Sequence, residues 1–342
     1  MKKKISFIIN PISGTSSKEN IPALIETHLD KSLFDYNIVY TDYAGHATEI
    51  ATICRKQGVD IVVAVGGDGT VNEVARALVK SATALAIIPC GSGNGLARHL
   101  LLPMSPKKAI ETINQCEIHR LDYGIINGYP FFCTCGMGFD AFVSMKFAEA
   151  GKRGPITYVE NVLREGLKYK PETYEIQDEH GVTRHKAFLI SCANASQYGN
   201  NAYIAPQASM SDGLLDVIIM EPFDVLDAPQ ISIEMFSKTL DKSSKIKTFK
   251  CKKLRIHRQA PGVIHFDGDP VMTGADVDIE LIEKGIDIVV NPNGDKSQRK
   301  PNALQSAACD LFNEINVIRD DINKQTRHIQ ALSRILQRKL NL

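Results

Sequence analysis

Four apolar runs in the first ninety residues are each followed by a turn and then by a helix-like stretch. The runs are Lys4–Ile9, Tyr36–Tyr40, Val59–Val65 and Ala84–Ile88. The third (VDIVVAV) is too apolar to face water, and the fourth reads as another buried strand. Helical patterns fill the gaps at Ile21–Leu29, Thr48–Gln57, Val71–Lys80 and after Gly95. This alternation specifies a parallel sheet covered by helices on both faces.

Three loops after these strands carry glycine: Asn10–Gly14, Gly66–Thr70 and Gly91–Gly95. In a parallel sheet they share the carboxyl edge, where ligands bind. Glycine lets backbone approach a phosphate and turn N–H groups toward it. Three such loops on one edge point to a nucleotide polyphosphate site. Neither GxxxxGK[ST] nor a strict GxGxxG is present. Thr70-Val71-Asn72-Glu73 also reads as a capping box, Thr70 bonding forward and Glu73 back. Asp68, an acid beside a polyphosphate, calls for a cation or a substrate hydroxyl between them.

From about Leu121 the runs become short and alternating, with turn signals at Asn127-Gly128, Asp212-Gly213 and Asp267-Gly268. A helix is expected at about Pro155–Tyr169, and Ile286–Val290 reads as a last buried strand. The expected fold class is α/β followed by a β-rich, mostly antiparallel second domain.

Taken together, these residues resemble the diacylglycerol kinase and sphingosine kinase family of lipid kinases. Gly66-Gly67-Asp68-Gly69-Thr70 with Asn72-Glu73 is shared with NAD kinases and phosphofructokinases as well, whereas Gly91-Ser92-Gly93-Asn94-Gly95-Leu96-Ala97-Arg98 is similar to the lipid-kinase version. Asn10-Pro11-x-Ser13-Gly14, Gly45-His46-Ala47, Gly136-Met137-Gly138-Phe139-Asp140-Ala141, Asp212-Gly213-Leu214-Leu215-Asp216 and Asp267-Gly268-Asp269 follow in the family's order, from about residue 4 to 294.

The resemblance implies an NAD-kinase-like and phosphofructokinase-like ATP-binding domain over residues 1–122 plus about 286–300. It implies a β-rich, sandwich-like lipid domain over 123–285. ATP with Mg²⁺ would lie between Asn10, Pro11, Ser13, Gly14, Thr41, Gly66, Gly67, Asp68, Gly69, Thr70, Asn72, Glu73, Gly91, Ser92, Gly93 and Asn94. A second, structural Mg²⁺ would take the Asp212 carboxylate and the carbonyls of Ser209 and Leu214; oxygen-only ligation suits a hard cation. Transfer of the γ-phosphate to a lipid hydroxyl needs a carboxylate base. Asp267 is the first choice and Asp269, standing where the family has Glu, the reserve; Asp68 completes the catalytic acids. The acceptor stays open between diacylglycerol, a sphingoid base and a phosphatidyl polyol. The alternatives are a soluble-substrate kinase of NAD-kinase type and a non-catalytic nucleotide-binding regulator.

The chain carries 40 Lys+Arg against 39 Asp+Glu, net +1, so any contact with an acidic membrane must come from a local patch, and no nucleic-acid partner is expected. Two patches qualify: the Lys/Arg-rich run Lys238–Arg258, which reads equally as a solvated strand face, and Lys152-Arg153. Met1–Lys4 is followed by too short an apolar run for a secretory signal. Eight cysteines with no zinc or CxxC spacing read as reduced thiols. The expectation is a cytoplasmic protein, peripheral at the inner face of the membrane.

Beyond a polar linker, Leu304, Ala308, Leu311, Ile315, Ile318, Ile322, Gln325, Ile329, Leu332 and Leu336 step by four and three. That is a heptad seam over residues 303–342, fit for a homodimer or for lying on its own domain. Deleting residues 301–342 is expected to convert a dimer into a monomer, read as a halved mass by light scattering; an unchanged mass assigns the tail to its own domain.

Overall fold

The computed structural model of the protein describes residues 2–12, 18–150, 169–224 and 227–294. The helix expected at 155–169, Lys152-Arg153 and the heptad tail lie largely or wholly outside them. Strands β1 (Lys3–Ile9), β2 (Phe34–Tyr40), β3 (Ile61–Gly66) and β4 (Ala84–Pro89) are parallel and ordered β2-β1-β3-β4. Alternate side chains serve opposite faces. Ile5, Phe7, Val63, Val65 and Ala86 pack with α1 (Ile21–His28) and α5 (Pro106–Gln115). Ile8, Val62, Ala64, Leu85 and Ile87 pack with α2 (His46–Lys56) and α3 (Asp68–Leu78). A strand buried on both faces has to be apolar throughout, as β3 and β4 are.

The second region is built of antiparallel strands. β5 (Ile118–Ile126) and β6 (Tyr129–Phe131) form a hairpin, followed by β7 (Thr134–Gly138) and α6 (Phe139–Ala150). One sheet runs β14 (Ile246–Cys251), β13 (Leu215–Met220), β10 (Leu189–Ala193), β7, β16 (Gly262–Phe266) and β17 (Asp269–Thr273). The facing strands are β5, β8 (Glu172–Asp178), β9 (Gly181–Ala187), β15 (Lys253–Arg258) and β18 (Asp276–Val289). Met137, Ile190, Val217 and Ile264 meet Tyr174, Ile176, Ile256 and Ile279 between the two sheets. The expected α/β-plus-β architecture is present.

The last strand is longer than its sequence signal. β18 runs over 14 residues, not only the buried stretch after Ile286. Its first part pairs with β15, and Ile288 pairs in parallel with Leu85 of β4, so a single sheet of ten strands spans both regions. The register with β5 shifts between Ile282 and Ile286. Two expected turns are hairpins with left-handed residues at both central positions: Asn127-Gly128 (φ 45° and 86°) and Asp267-Gly268 (φ 52° and 88°). Asp212-Gly213 is not a hairpin turn; it belongs to a loop that leads into β13.

Asn194, fully buried, stitches the two sheets. Its side-chain amide donates to the carbonyls of Asp122 (3.0 Å) and Phe132 (2.9 Å). Asn194→Ala leaves both acceptors buried without this donor. It is expected to cost about 3 kcal/mol, read as a lower urea midpoint.

Candidate functional site

The loops after β1, β3 and β4 open on one edge, and side chains tie them together. Asn10 Nδ2 donates to Thr70 Oγ1 at 3.1 Å, joining the first loop to the second. The half-buried Asp68 carboxylate joins the second to the third, accepting from the N–H of Asn94 (2.8 Å) and Gly95 (2.7 Å). Desolvation pushes the Asp68 carboxyl upward against the pull of those N–H groups and of Arg98. Each of its two oxygens thus accepts one of these backbone N–H groups. Asn94 (φ 52°) closes its own loop, accepting from Gly91 N–H at 3.0 Å and donating to Gly91 O at 2.7 Å. A Cβ on Gly91 would stand 2.7 Å from the Gly67 Cα, so these two loops touch backbone to backbone.

Gly69 differs: nothing lies within 4 Å of a Cβ built there. It sits in the first turn of α3, whose N-cap, Gly67, supplies no side-chain cap. Uncapped N–H groups at an open helix N-terminus suit an anion. Ser92 and Pro11 are exposed beside this opening's loops, Thr41 is buried where β2 ends, and Asn72 is buried within α3. Ser13 and Gly14 lie outside the described residues.

The expected capping box is absent. α3 starts at Asp68, so Thr70 is inside the helix and bonds Asn10. Glu73 instead reaches α2, accepting from the N–H of Gly45 (3.0 Å) and Ala47 (3.2 Å). There it caps a helix whose own N-cap, Gly45 (φ 92°), has no side chain, which accounts for the Gly-His-Ala motif.

The two acids of the β16–β17 hairpin have different surroundings. Asp267 accepts from the N–H groups of Phe132 (2.8 Å), Cys133 (2.7 Å) and Thr134 (3.1 Å) and so clasps the turn between β6 and β7. Burial pushes its carboxyl up to about 6, even with those three donors and Arg76 pulling the other way. Cys133 lies near enough to Asp267 and Asp68 for both charges to add to burial in raising its thiol. Asp269 is half exposed and pairs with Arg76 of α3 at 2.8 Å. Arg76 also lies over the Phe266 ring, 4.7 Å from its centroid, and its buried Nε has no partner. Asp269 therefore offers a carboxylate to an incoming group, while Asp267 holds the turn that presents it.

The Ser209–Leu214 loop shows an oxygen-rich set committed elsewhere. The Asp212 carboxylate bonds Lys250 Nζ at 2.8 Å and Leu214 N–H at 3.2 Å; Lys250 also stands 3.2 Å from Asp216. Asp122, almost fully buried, holds the loop by accepting from Gly213 N–H (3.0 Å) and ties it to β18 through Lys284 N–H (2.7 Å). The donor types suit a hard cation, and Lys250 is the charged partner this carboxylate has in the structure. Among the described residues no group of three His, Cys, Asp or Glu could hold a metal.

The basic run at 238–258 is largely neutralised by neighbouring strands and loops. Lys245 pairs with Asp227, Lys247 with Glu221, Lys252 with Glu283, Lys253 with Glu280 and Arg255 with Asp278. Arg258 is buried and donates to the carbonyls of Gly262, Val263 and Gly274. No helix among the described residues is long and apolar enough to cross a membrane.

Arg76, Asp122, Asn194 and His265 carry no local motif, and sequence reasoning missed them. Each acts on a partner more than sixty residues away, a distance no sequence spacing signals.

Two family models match the chain in succession: the diacylglycerol kinase catalytic domain over residues 4–126 and the YegS C-terminal NAD kinase β-sandwich-like domain over residues 133–278. A diacylglycerol kinase of Staphylococcus saprophyticus is 26% identical over 274 residues, covering 79% of this chain and 90% of its own. A diacylglycerol kinase of Bacillus subtilis is 26% identical over 224 residues, covering 64% and 74%. A diacylglycerol kinase from Bacillus anthracis shares the fold, with a TM-score of 0.68 at 22% identity over 86% of this chain and 98% of that one.

Asp267 binds its proton more readily folded (about 6) than at its ordinary value of 3.8. Its contribution to stability is therefore full below pH 3.8 and lost as pH rises through 6, about 3 kcal/mol at most. Chemical denaturation between pH 4 and 7 is expected to show wild type losing stability relative to Asp267→Asn; parallel profiles contradict this.

Proposed function

The chain belongs to the diacylglycerol kinase family, and we propose that it transfers the γ-phosphate of ATP to the hydroxyl of a lipid, a diacylglycerol or a sphingoid base. One observation carries this reading. Asp68 and Asn10 tie the loops after β1, β3 and β4 together around Gly69, and Arg76 of the same helix α3 pairs with Asp269 of the β16–β17 hairpin. The N–H groups of the first turn of α3 receive the phosphates, and the loop of Gly91–Asn94 walls them in. Mg²⁺ arriving with the nucleotide supplies charge neutralisation.

Phosphoryl transfer asks little else of a protein than placement and a base. Asp269, half exposed, takes the hydroxyl proton, and Arg76 holds its carboxylate in position. Asp267 keeps Asp269 and the β6–β7 turn in register. The acceptor comes from a bilayer, which the chain meets as a peripheral protein at the inner face. The paired cations of the 245–255 strands leave little net charge there to bind anionic lipid.

The test is transfer from [γ-³²P]ATP into mixed micelles carrying diacylglycerol, sphingosine or phosphatidylglycerol separately, with NAD as a soluble control. Label is expected in one lipid. Label in NAD supports the soluble-substrate reading, and ATP binding with label in none supports the regulator. Asp269→Asn is expected to lower turnover by about 10²–10⁴-fold with ATP affinity near wild type. The opposite pattern, with Asp267→Asn inert but fully stable and Asp269→Asn active, returns the base to Asp267.

A further inference from the structure

A buried polar chain connects the third glycine loop to the catalytic hairpin, and phosphoryl transfer as outlined leaves it unused. It begins at β11 (Gln197–Gly199), which rests on the loop: a Cβ on Gly95 would stand 3.0 Å from Tyr198 O, and Asn200 N–H donates to Gly93 O at 2.9 Å. The Tyr198 hydroxyl donates to Asp140 Oδ2 at 3.2 Å. The same oxygen receives His265 Nε2 at 2.9 Å, with the two side chains 10% and 2% exposed. On the other side of the ring, Gly268 N–H donates to His265 Nδ1 at 3.4 Å. A backbone N–H can only donate, so Nδ1 is the acceptor and Nε2 carries the proton toward Asp140.

The surroundings are built for this arrangement. Asp140 stands in the first turn of α6 and also accepts from Ala141 N–H at 2.8 Å. Gly136 faces His265 in the β7–β16 register, and a Cβ there would stand 2.7 Å from Asp140 Oδ2 and 3.1 Å from His265 Nε2. Only glycine leaves room for the pair. Gly268 lies between Asp267, which clasps the β6–β7 turn, and Asp269, which pairs with Arg76.

We propose that His265, oriented by Asp140 and Tyr198, is a positioning residue that fixes the Asp267–Asp269 turn relative to the glycine loop over the nucleotide. Both ring nitrogens are needed: Nε2–H to be held by Asp140, Nδ1 to hold Gly268. A turn misplaced by an ångström costs about a hundredfold in rate, so the effect falls on turnover more than on nucleotide binding.

Two substitutions separate the nitrogens. His265→Asn keeps an acceptor where Nδ1 stands and loses the reach to Asp140. His265→Gln keeps a donor near Nε2 and loses the bond to Gly268. Amide exchange of the peptide spanning Asp267–Asp269 is expected to quicken about tenfold in His265→Gln and less in His265→Asn. Unchanged exchange in His265→Gln overturns the proposal. The kinetic half of the test rests on the lipid-kinase reading and uses whichever lipid wild type labels. There kcat is expected to fall about tenfold or more in His265→Gln, with the KM for ATP within about twofold, and to recover partly in His265→Asn. Equal losses in both variants, in step with lowered Tm, assign His265 to packing alone. Tyr198→Phe removes one hydroxyl and keeps the ring. It is expected to lower kcat at unchanged Tm, and unaltered kcat counts against the proposal even where His265→Gln does not fold. If wild type labels no lipid, the kinase reading fails while the exchange measurement still decides the role of His265.

Discussion

The site depends on one half-buried carboxylate. Burying an acid is unfavourable unless its oxygens find donors, and Asp68 finds the N–H groups of Asn94 and Gly95. Those bonds fix the third loop against the start of α3, and everything downstream inherits the placement. The Gly91 backbone can then lie against Gly67, and the Gly93–Gly95 segment offers a flat surface to β11. A larger residue at any of these glycines would push the loops apart before it met a ligand. The glycines of this edge therefore divide their work. Gly67, Gly91, Gly93 and Gly95 let protein backbone meet protein, and Gly69 alone among them leaves space open.

Two of the links that hold the second region against the first differ in kind. β18 is covalent and continuous, carrying one sheet from β4 to β15 through the register shift at Ile282–Ile286. Arg76–Asp269 is a single ion pair between α3 and β17. The first link buries alternate side chains along its length, among them Val277, Ile279, Leu281, Ile286 and Ile288, and resists opening. The second is partly exposed, and such a pair contributes little to stability. An acid held this way is positioned by its partner without being locked by it.

The α/β core was legible in the sequence because periodicity reports burial directly: strands buried on both faces are apolar throughout, and glycine marks each edge loop. The two positive-φ hairpins were legible for the same local reason. What sequence could not supply was the partner of each polar residue. Thr70 and Glu73 satisfy a capping-box spacing, yet both bond elsewhere, because α3 begins at Asp68 and tertiary partners outcompete the local ones. The run of cations near 250 reads as a basic patch along the chain, and its compensating acids arrive from strands and loops as distant as Glu221 and Glu283.

The same logic separates the two acids of the hairpin. In sequence they are equivalent neighbours of one glycine. In the fold the positive φ of Asp267 turns its carboxylate back onto three N–H groups of the β6–β7 turn, while the β-conformation of Asp269 sends its own toward α3. A carboxylate with three donors is tied to the turn it clasps and has little freedom to swing toward an incoming hydroxyl. A half-exposed one with a single arginine has an oxygen to spare. Two residues apart, the chain thus holds one acid bound into the β6–β7 turn and another, half exposed, turned toward α3.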